Sequence, residues 1–301
     1  MKILLLGKNG QVGWELQRSL APLGELVALC SASQEMCGDL TRFDDIRQTI
    51  KSVSPDVIVN ASAYTAVDKA ESDIENAEIL NAHAPGMLAQ EAKACNACLI
   101  HYSTDYVFNG KSNSPYSEID LPDPLNVYGK TKLQGENNII DSGCNHLIFR
   151  TSWVYGAHGN NFIKTILRLS QQRDKLSIVN DQIGSPTGAE LIADVTAHAV
   201  RAIQLRPELA GLYHLAARGH TSWYEFADFI LQHAEPYFTK SRCQLTAIPS
   251  TDYPTPAKRP LNSRLNTTKL EQTFGLNFPN WQNGVLRVLT ELLTKSDFEN
   301  Q

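Results

Sequence analysis

A tyrosine and a lysine four residues apart carry the most chemistry in this chain: Tyr128 and Lys132 in Tyr128-Gly129-Lys130-Thr131-Lys132. Pro124 before them and Leu133-Gln134-Gly135-Glu136 after them mark the opening of a helix. At that spacing the two side chains share one helical face, about one turn apart. A phenol in isolation titrates near ~10, and a neighbouring ammonium favours the phenolate and lowers that value. The pair therefore reads as an acid/base tuned to move a proton at a carbinol oxygen.

A second constellation stands at the N-terminus. Met1-Lys2-Ile3-Leu4-Leu5-Leu6 reads as a buried parallel strand, Gly7-Lys8-Asn9-Gly10-Gln11-Val12-Gly13 follows at once, and Trp14 to Leu20 repeats apolar residues at helical spacing. Strand, glycine loop, helix is the context of a dinucleotide fingerprint, here spaced G-x-x-G-x-x-G. Gly7 permits the tight turn, Gly10 lets backbone approach a pyrophosphate, and Gly13 lets helix and strand pack closely. The free N–H groups at the helix start then face the phosphates. A third group, Ser103-Thr104-Asp105, offers two hydroxyls and a carboxylate at a strand end. A hydroxyl there can hold a carbonyl oxygen near Tyr128.

Positioning these groups requires alternating strands and helices. Strands are expected at 25–29, 56–60, 98–103 and 146–150, with later ones at 176–179 and 211–215. Helices are expected at 43–53, at 75–94 with a break at Pro85-Gly86, and at 128–140; from about Arg287 an amphipathic helix frays into polar residues. Repeated βα units predict an α/β fold, a doubly wound parallel sheet of Rossmann type, with a smaller C-terminal α/β substrate lobe. The expected division is a dinucleotide-binding domain over 1–151, extended by segments returning within about 176–215, and a mainly substrate-binding lobe over 152–301. In such a sheet, ligands bind at the carboxyl ends of the strands.

Composition agrees with an enzyme. Hydrophobic residues make up 42% and charged residues 20% of 301, and the formal net charge of -5 supplies no basic surface for nucleic acid or anionic membrane. No apolar run approaches the ~20 residues that span a bilayer, and Leu4-Leu5-Leu6 is too short for a signal segment. The expected location is cytoplasmic. The six scattered cysteines read as reduced thiols, and Cys95-Asn96-Ala97-Cys98 has no second pair at zinc-site spacing.

Read in order, Gly7-xx-Gly10-xx-Gly13, Asn60-Ala61-Ser62-Ala63, Ser103-Thr104-Asp105 and Tyr128-xxx-Lys132 resemble the extended short-chain dehydrogenase/reductase family. Further stretches sharpen the likeness toward its sugar-nucleotide reductases: 63–71, 103–108, 150–156, 181–187 and 259–265. The resemblance implies reduction of the C4 keto group of dTDP-4-dehydro-6-deoxy-L-mannose by NADPH or NADH. It implies Tyr128 as proton donor, Lys132 on the nicotinamide ribose, Thr104 orienting the carbonyl and Asp105 near the sugar hydroxyls. It places Gln11 and Val12 over the pyrophosphate, Asp39 and Leu40 near the adenine, Ala63, Tyr64 and Thr65 beside the cofactor with Tyr102 close by, and Trp153 as a wall of the sugar pocket. It also implies a homodimer bridged by a divalent cation such as Mg2+, with Glu15, Glu190 and Glu291 as the carboxylates offered. The second strand ends in Cys30-Ser31-Ala32-Ser33 with no acid to bind a ribose 2′-OH, so NADPH is the preferred cofactor. Arg259 and Arg264 are either contacts to the substrate diphosphate or interdomain ion pairs. Two other readings stay open: a sugar-nucleotide epimerase or dehydratase, and a non-catalytic NADP-binding regulatory subunit. Tyr106 stands where a dehydratase would carry a second acid.

Overall fold

The computed structural model describes residues 1–238 and 243–295. Six strands form one parallel sheet: β1 (Lys2–Leu6), β2 (Glu25–Leu29), β3 (Val57–Asn60), β4 (Cys98–Thr104), β5 (His146–Thr151) and β6 (Gly211–His214). Their order is β6-β5-β4-β3-β1-β2, so the chain reverses its direction of travel between β1 and β3. That switch point opens a crevice at the strand ends. The fold is the expected doubly wound α/β architecture.

Alternation along the strands explains why both faces are covered. Ile3, Leu5, Val57, Val59, Ile100, Leu147 and Phe149 point to one face, where α1 (Gln11–Leu20) and the helix Ala189–Leu205 pack. Leu4, Leu6, Ile58, Leu99 and Ile148 point to the other, under α2 (Phe43–Val53), α3 (Ala84–Ala94) and α4 (Val127–Ser142). Each buried Leu or Ile contributes about 1.5–3 kcal/mol relative to exposure, and a one-residue slip would exchange the two sets.

The expected break near Pro85 takes a definite form. Residues Ile79–His83 widen into a π-turn between Ile74–Glu78 and α3. Pro85 has no N–H for the Asn81 carbonyl one turn back. That carbonyl instead lies against Gly135 of α4, where a Cβ would come within 2.1 Å of it. The Asn81 side chain accepts the Tyr64 N–H (2.9 Å) and donates to the Tyr64 carbonyl (3.1 Å) and Thr131 Oγ1 (3.2 Å). One residue thus ties the loop after β3 to the helix carrying Tyr128.

Of the two later strands, Gly211–His214 completes the sheet edge beside β5, but Lys175–Val179 does not join it. Lys175–Val179 pairs instead with Gln244–Ile248. Nearby lies a separate core of Ile163, Phe226, Ile230, Trp281 and Val285, drawn from the helices Phe162–Gln172, Trp223–Ala234 and Trp281–Lys295, with Tyr155 from the short strand Val154–Tyr155. The polar end expected of the last helix, 296–301, lies outside the described residues. Among the described residues, no helix is long and apolar enough to cross a membrane.

Candidate active site

Three glycines shape one end of the crevice for three reasons. Gly7 sits at φ +91°, and a Cβ there would come within 2.6 Å of Ser62 Oγ and 2.8 Å of the Ala61 backbone. Gly13 lies in α1, where a Cβ would stand 2.0 Å from the Gly7 carbonyl oxygen. Gly10 caps α1 in extended backbone, and a Cβ there would meet no protein atom closer than 3.5 Å. The first two are demanded by the fold. The third leaves space for something outside the protein.

A cleft of ≈ 660 Å³ runs from this loop along the ends of β1 to β5. Gly7, Gly10, Gln11, Val12, Asp39, Leu40, Ala63, Thr65, Tyr102, Tyr128 and Lys132 line it, as do Cys30, Ser31 and Ala32. Gly13 and Tyr64 do not: Gly13 lies against the loop, and the Tyr64 hydroxyl donates to Asp73 at 2.8 Å. Two further residues line the cleft: Ser103, one of the strand-end hydroxyls of the expectation, and Thr151, which the expectation missed. Both hydroxyls are buried and find no hydrogen-bond partner among the described residues, yet both residues line the cleft. Their only sequence signal was a hydroxyl at a strand end. Orphan hydroxyls and the open space at Gly10 fit an extended polar ligand such as a dinucleotide.

At the other end, the start of α4 is pressed onto the turn that follows β4. A Cβ on Gly129 would come within 2.2 Å of the Tyr106 carbonyl. Asn126 caps the helix, its Oδ1 accepting the Gly129 N–H at 2.8 Å, and its Nδ2 donates to the Lys258 carbonyl at 2.7 Å. This seats the Tyr128 ring edge-on to Tyr106 (centroids 5.9 Å apart) and its hydroxyl beside Thr104. Thr104 Oγ1 accepts the Tyr106 N–H at 3.1 Å and donates to Asp105 Oδ1 at 3.0 Å. Burial pushes the Asp105 carboxyl up to about 7, against the Ser263 and Thr104 hydroxyls, which favour its charged form. Thr104 and Asp105 are not among the residues that line the cleft.

The electrostatics of the Tyr/Lys pair differ from the expectation. Burial pushes Tyr128 up to about 12, and the nearby Asp105 adds to the rise while Thr104 opposes it. Lys132 does not offset this, because its ammonium end turns away: Nζ donates to the Tyr102 carbonyl at 2.5 Å and lies 3.2 Å from His101 Nε2. Burial brings Lys132 down to about 8, with Glu136 pulling the other way. The i, i+4 spacing was right, but direction along the helix decides what each side chain reaches.

Glu136 and Arg150 form a buried pair, bonded at 2.9 and 2.6 Å, that locks α4 to β5. Trp153 stands outside the cleft lining, in left-handed backbone (φ +47°), stacked on Trp223 at 3.5 Å. A Cβ on Gly184 would meet its indole at 2.4 Å. Arg259 is held by both Asp68 oxygens (3.0 and 2.7 Å), and Arg264 by Asn262 Oδ1 and the Asn113 carbonyl (both 2.7 Å). Of the two roles open to these arginines, Arg259 takes the ion pair.

The three carboxylates offered to a divalent cation lie near one another. Glu15 and Glu291 lie close enough to Glu190 to strengthen its hold on a proton, a rise led by burial. Arginines nevertheless already occupy two of them, Arg18 at 3.4 Å from Glu15 and Arg287 at 3.0 Å from Glu190. Among the described residues, no three His, Cys, Asp or Glu side chains stand together as a metal site. In Cys95-x-x-Cys98, burial raises the Cys98 thiol to about 12 while Cys95 is exposed, which suits neither redox nor metal chemistry.

A doubly wound sheet, a glycine loop under one end of its crevice and a Tyr/Lys helix at the other define the extended short-chain dehydrogenase/reductases. Residues 1–294 match the model of the RmlD substrate binding domain family. The dTDP-4-dehydrorhamnose reductase of Salmonella typhimurium (strain LT2) is 54% identical, covering 98% of this chain and 99% of that one. Crystal structures of dTDP-4-dehydrorhamnose reductases superpose on nearly the whole chain. That from Clostridium acetobutylicum has TM-score 0.87 at 34% identity, covering 97% of this chain and 99% of that one. That from Bacillus anthracis, in complex with NADP, has TM-score 0.86 at 32% identity, covering 97% and 100%. This chain belongs to the dTDP-4-dehydrorhamnose reductase family and is an NAD(P)H-dependent oxidoreductase.

Proposed function

We propose that this chain reduces the C4 keto group of dTDP-4-dehydro-6-deoxy-L-mannose to give dTDP-L-rhamnose, with Tyr128 as proton donor. The observation that carries this is Tyr128 beside Thr104 at the far end of a cleft that begins at Gly10. The reduced nicotinamide, when bound, supplies the hydride. The rest is the work of the chain. Gly10, Gln11 and Val12 receive the phosphates at the α1 terminus, while Asp39, Leu40, Ala63, Thr65 and Tyr102 flank the remainder of the cofactor. Lys132 holds the ribose. With its phenol pushed up to about 12, Tyr128 keeps its proton at neutral pH and gives it to the alkoxide, a far stronger base. Thr104 orients the keto oxygen. Asp105, near 7, decides whether the Thr104 proton is engaged or released. Trp153 forms a wall for the sugar.

We assign 1–151 to cofactor binding and most of 152–301 to the sugar nucleotide. The cofactor preference rests on Cys30, Ser31 and Ala32 lining the cleft where an acid would repel a 2′-phosphate, with Lys8 close enough to lower the Cys30 thiol. NADPH should show the higher kcat/KM with NADH still usable, and a large advantage for NADH would sink this. The homodimer is proposed to place Glu15, Glu190 and Glu291, already near one another in one chain, against the same residues of a second copy around a bridging Mg2+. Chelation that leaves activity and assembly unchanged removes the metal.

The direct test mixes protein, sugar nucleotide and NADPH and follows absorbance of the reduced nicotinamide. Oxidation should depend on the sugar nucleotide and fall about 10²–10⁴-fold in Tyr128→Phe, with NADPH affinity unchanged. A Tyr128→Phe variant that turns over normally would remove the assigned donor.

A further inference from the structure

Leu4, Leu6, Ile58, Leu99 and Ile148 make the α3/α4 face of the sheet apolar. At the ends of β3 and β4 this face continues with Asn60 and His101, paired in register and each only 1% exposed. A buried amide and a buried imidazole are costly unless both find partners. They find each other and Lys132: Asn60 Nδ2 lies 3.2 Å from His101 Nδ1, and Lys132 Nζ lies 3.2 Å from His101 Nε2.

The amide orientation determines the tautomer. Asn60 Oδ1 accepts the Ser62 N–H at 3.1 Å, which leaves Nδ2–H facing the ring, so His101 Nδ1 must accept. Burial holds the ring well below the usual imidazole range, and Lys132 adds to this whenever it is charged, so the ring is neutral with either form of the lysine. A neutral ring that accepts at Nδ1 carries its proton on Nε2, aimed at Lys132 Nζ. An ammonium has no lone pair to receive that proton, whereas an amine does. Charging Lys132 therefore costs one hydrogen bond of this chain.

We propose that His101, held in the Nε2–H tautomer by Asn60, is a positioning residue that donates to Lys132 Nζ and biases this lysine toward the uncharged amine. The other groups facing Lys132 do not reverse the bias. Glu136, one turn on, has both oxygens committed to Arg150 and leaves only a residual pull toward the ammonium. Tyr128, one turn back, is a neutral phenol. The Tyr102 carbonyl accepts a hydrogen from amine and ammonium alike. The functional consequence rests on the proposed role of Lys132 on the ribose: an amine can accept as well as donate a hydrogen bond to a ribose hydroxyl, whereas an ammonium only donates.

Nitrogen NMR of the full protein labelled with 15N-histidine reads the tautomer without any substitution. Between about pH 6 and about pH 9, His101 should show a protonated Nε2 and a bare Nδ1. A protonated Nδ1, or an imidazolium in that range, overturns the proposal. The 13Cε resonance of Lys132, assigned by its loss in Lys132→Met, gives the lysine's midpoint. His101→Phe should raise that midpoint by about one pH unit, the weight of one hydrogen bond. His101→Gln, which places an amide N–H near the Nε2 position, should restore it. A midpoint that stays or falls in His101→Phe also overturns the proposal. Neither readout uses turnover, so a failed substrate assignment and a failed role for His101 give different results.

Discussion

Along the β1–α1 wall of the cleft the chain offers main chain and small residues; along the β4–α4 wall it offers buried side chains with shifted proton affinities. Gly7, Gly10 and Gly13 act through what they lack. Asp105, Tyr128, Lys132 and His101 carry groups whose proton affinity burial shifts from its ordinary value. A wall that only cradles phosphates needs N–H groups and room, both supplied by backbone geometry. A wall that moves a proton needs groups with tuned proton affinity, and burial is the strongest way to tune them.

The sharpest way to break this contrast is Glu136→Gln. It leaves Arg150 charged and buried with half its partner gone, so a stability loss of about 3–5 kcal/mol is expected by chemical denaturation. A loss under about 1 kcal/mol would mean that α4 is seated by packing alone. On the other wall, Gly13→Ala drives a Cβ into the Gly7 carbonyl and should cost about 1–3 kcal/mol. Gly10→Ala, with open space around it, should melt like the parent and lose only cofactor affinity. Equal Tm losses in the two variants would show that Gly10 serves the fold.

The smallest expected effect is pH-dependent. The folded Asp105 carboxyl, about 7, lies above its unfolded value of ~3.9. Its neutral form therefore stabilises the fold fully below about pH 4, and this contribution is lost as pH rises through 7. Asp105→Asn, neutral throughout, should exceed the parent by roughly 1–2 kcal/mol at about pH 8 and lose that advantage by about pH 4. A gap that is constant with pH would show that Asp105 is not the titrating group.

Much of the glycine-loop wall was legible in sequence because its parts are adjacent: β1, the loop and α1 lie within residues 2–20. Cys30-Ser31-Ala32 was legible for the same reason, as the direct continuation of β2. The reactive wall was read only in part. Tyr128 and Lys132 sit on one helix, so their spacing was visible, but the partners of Lys132 lie about 30 residues away on β4. The register that pairs His101 with Asn60 joins segments 41 residues apart. The stacking of Trp153 on Trp223 and the pairing of Lys175–Val179 with Gln244–Ile248 likewise depend on contacts that no local pattern announces.

The sequence by itself determined the alternation of strands and helices, the glycine loop and the Tyr128/Lys132 pair on one helix, because periodicity, glycine placement and i, i+4 spacing are local properties of the chain. Only the tertiary structure decided the proton affinities and directions of the side chains: that burial raises rather than lowers Tyr128, that Lys132 turns toward His101 and Tyr102, and that Asp105 is raised to about 7. Proton affinity depends on desolvation and on neighbours brought from distant strands, and both exist only once the sheet has formed and α4 has closed over it.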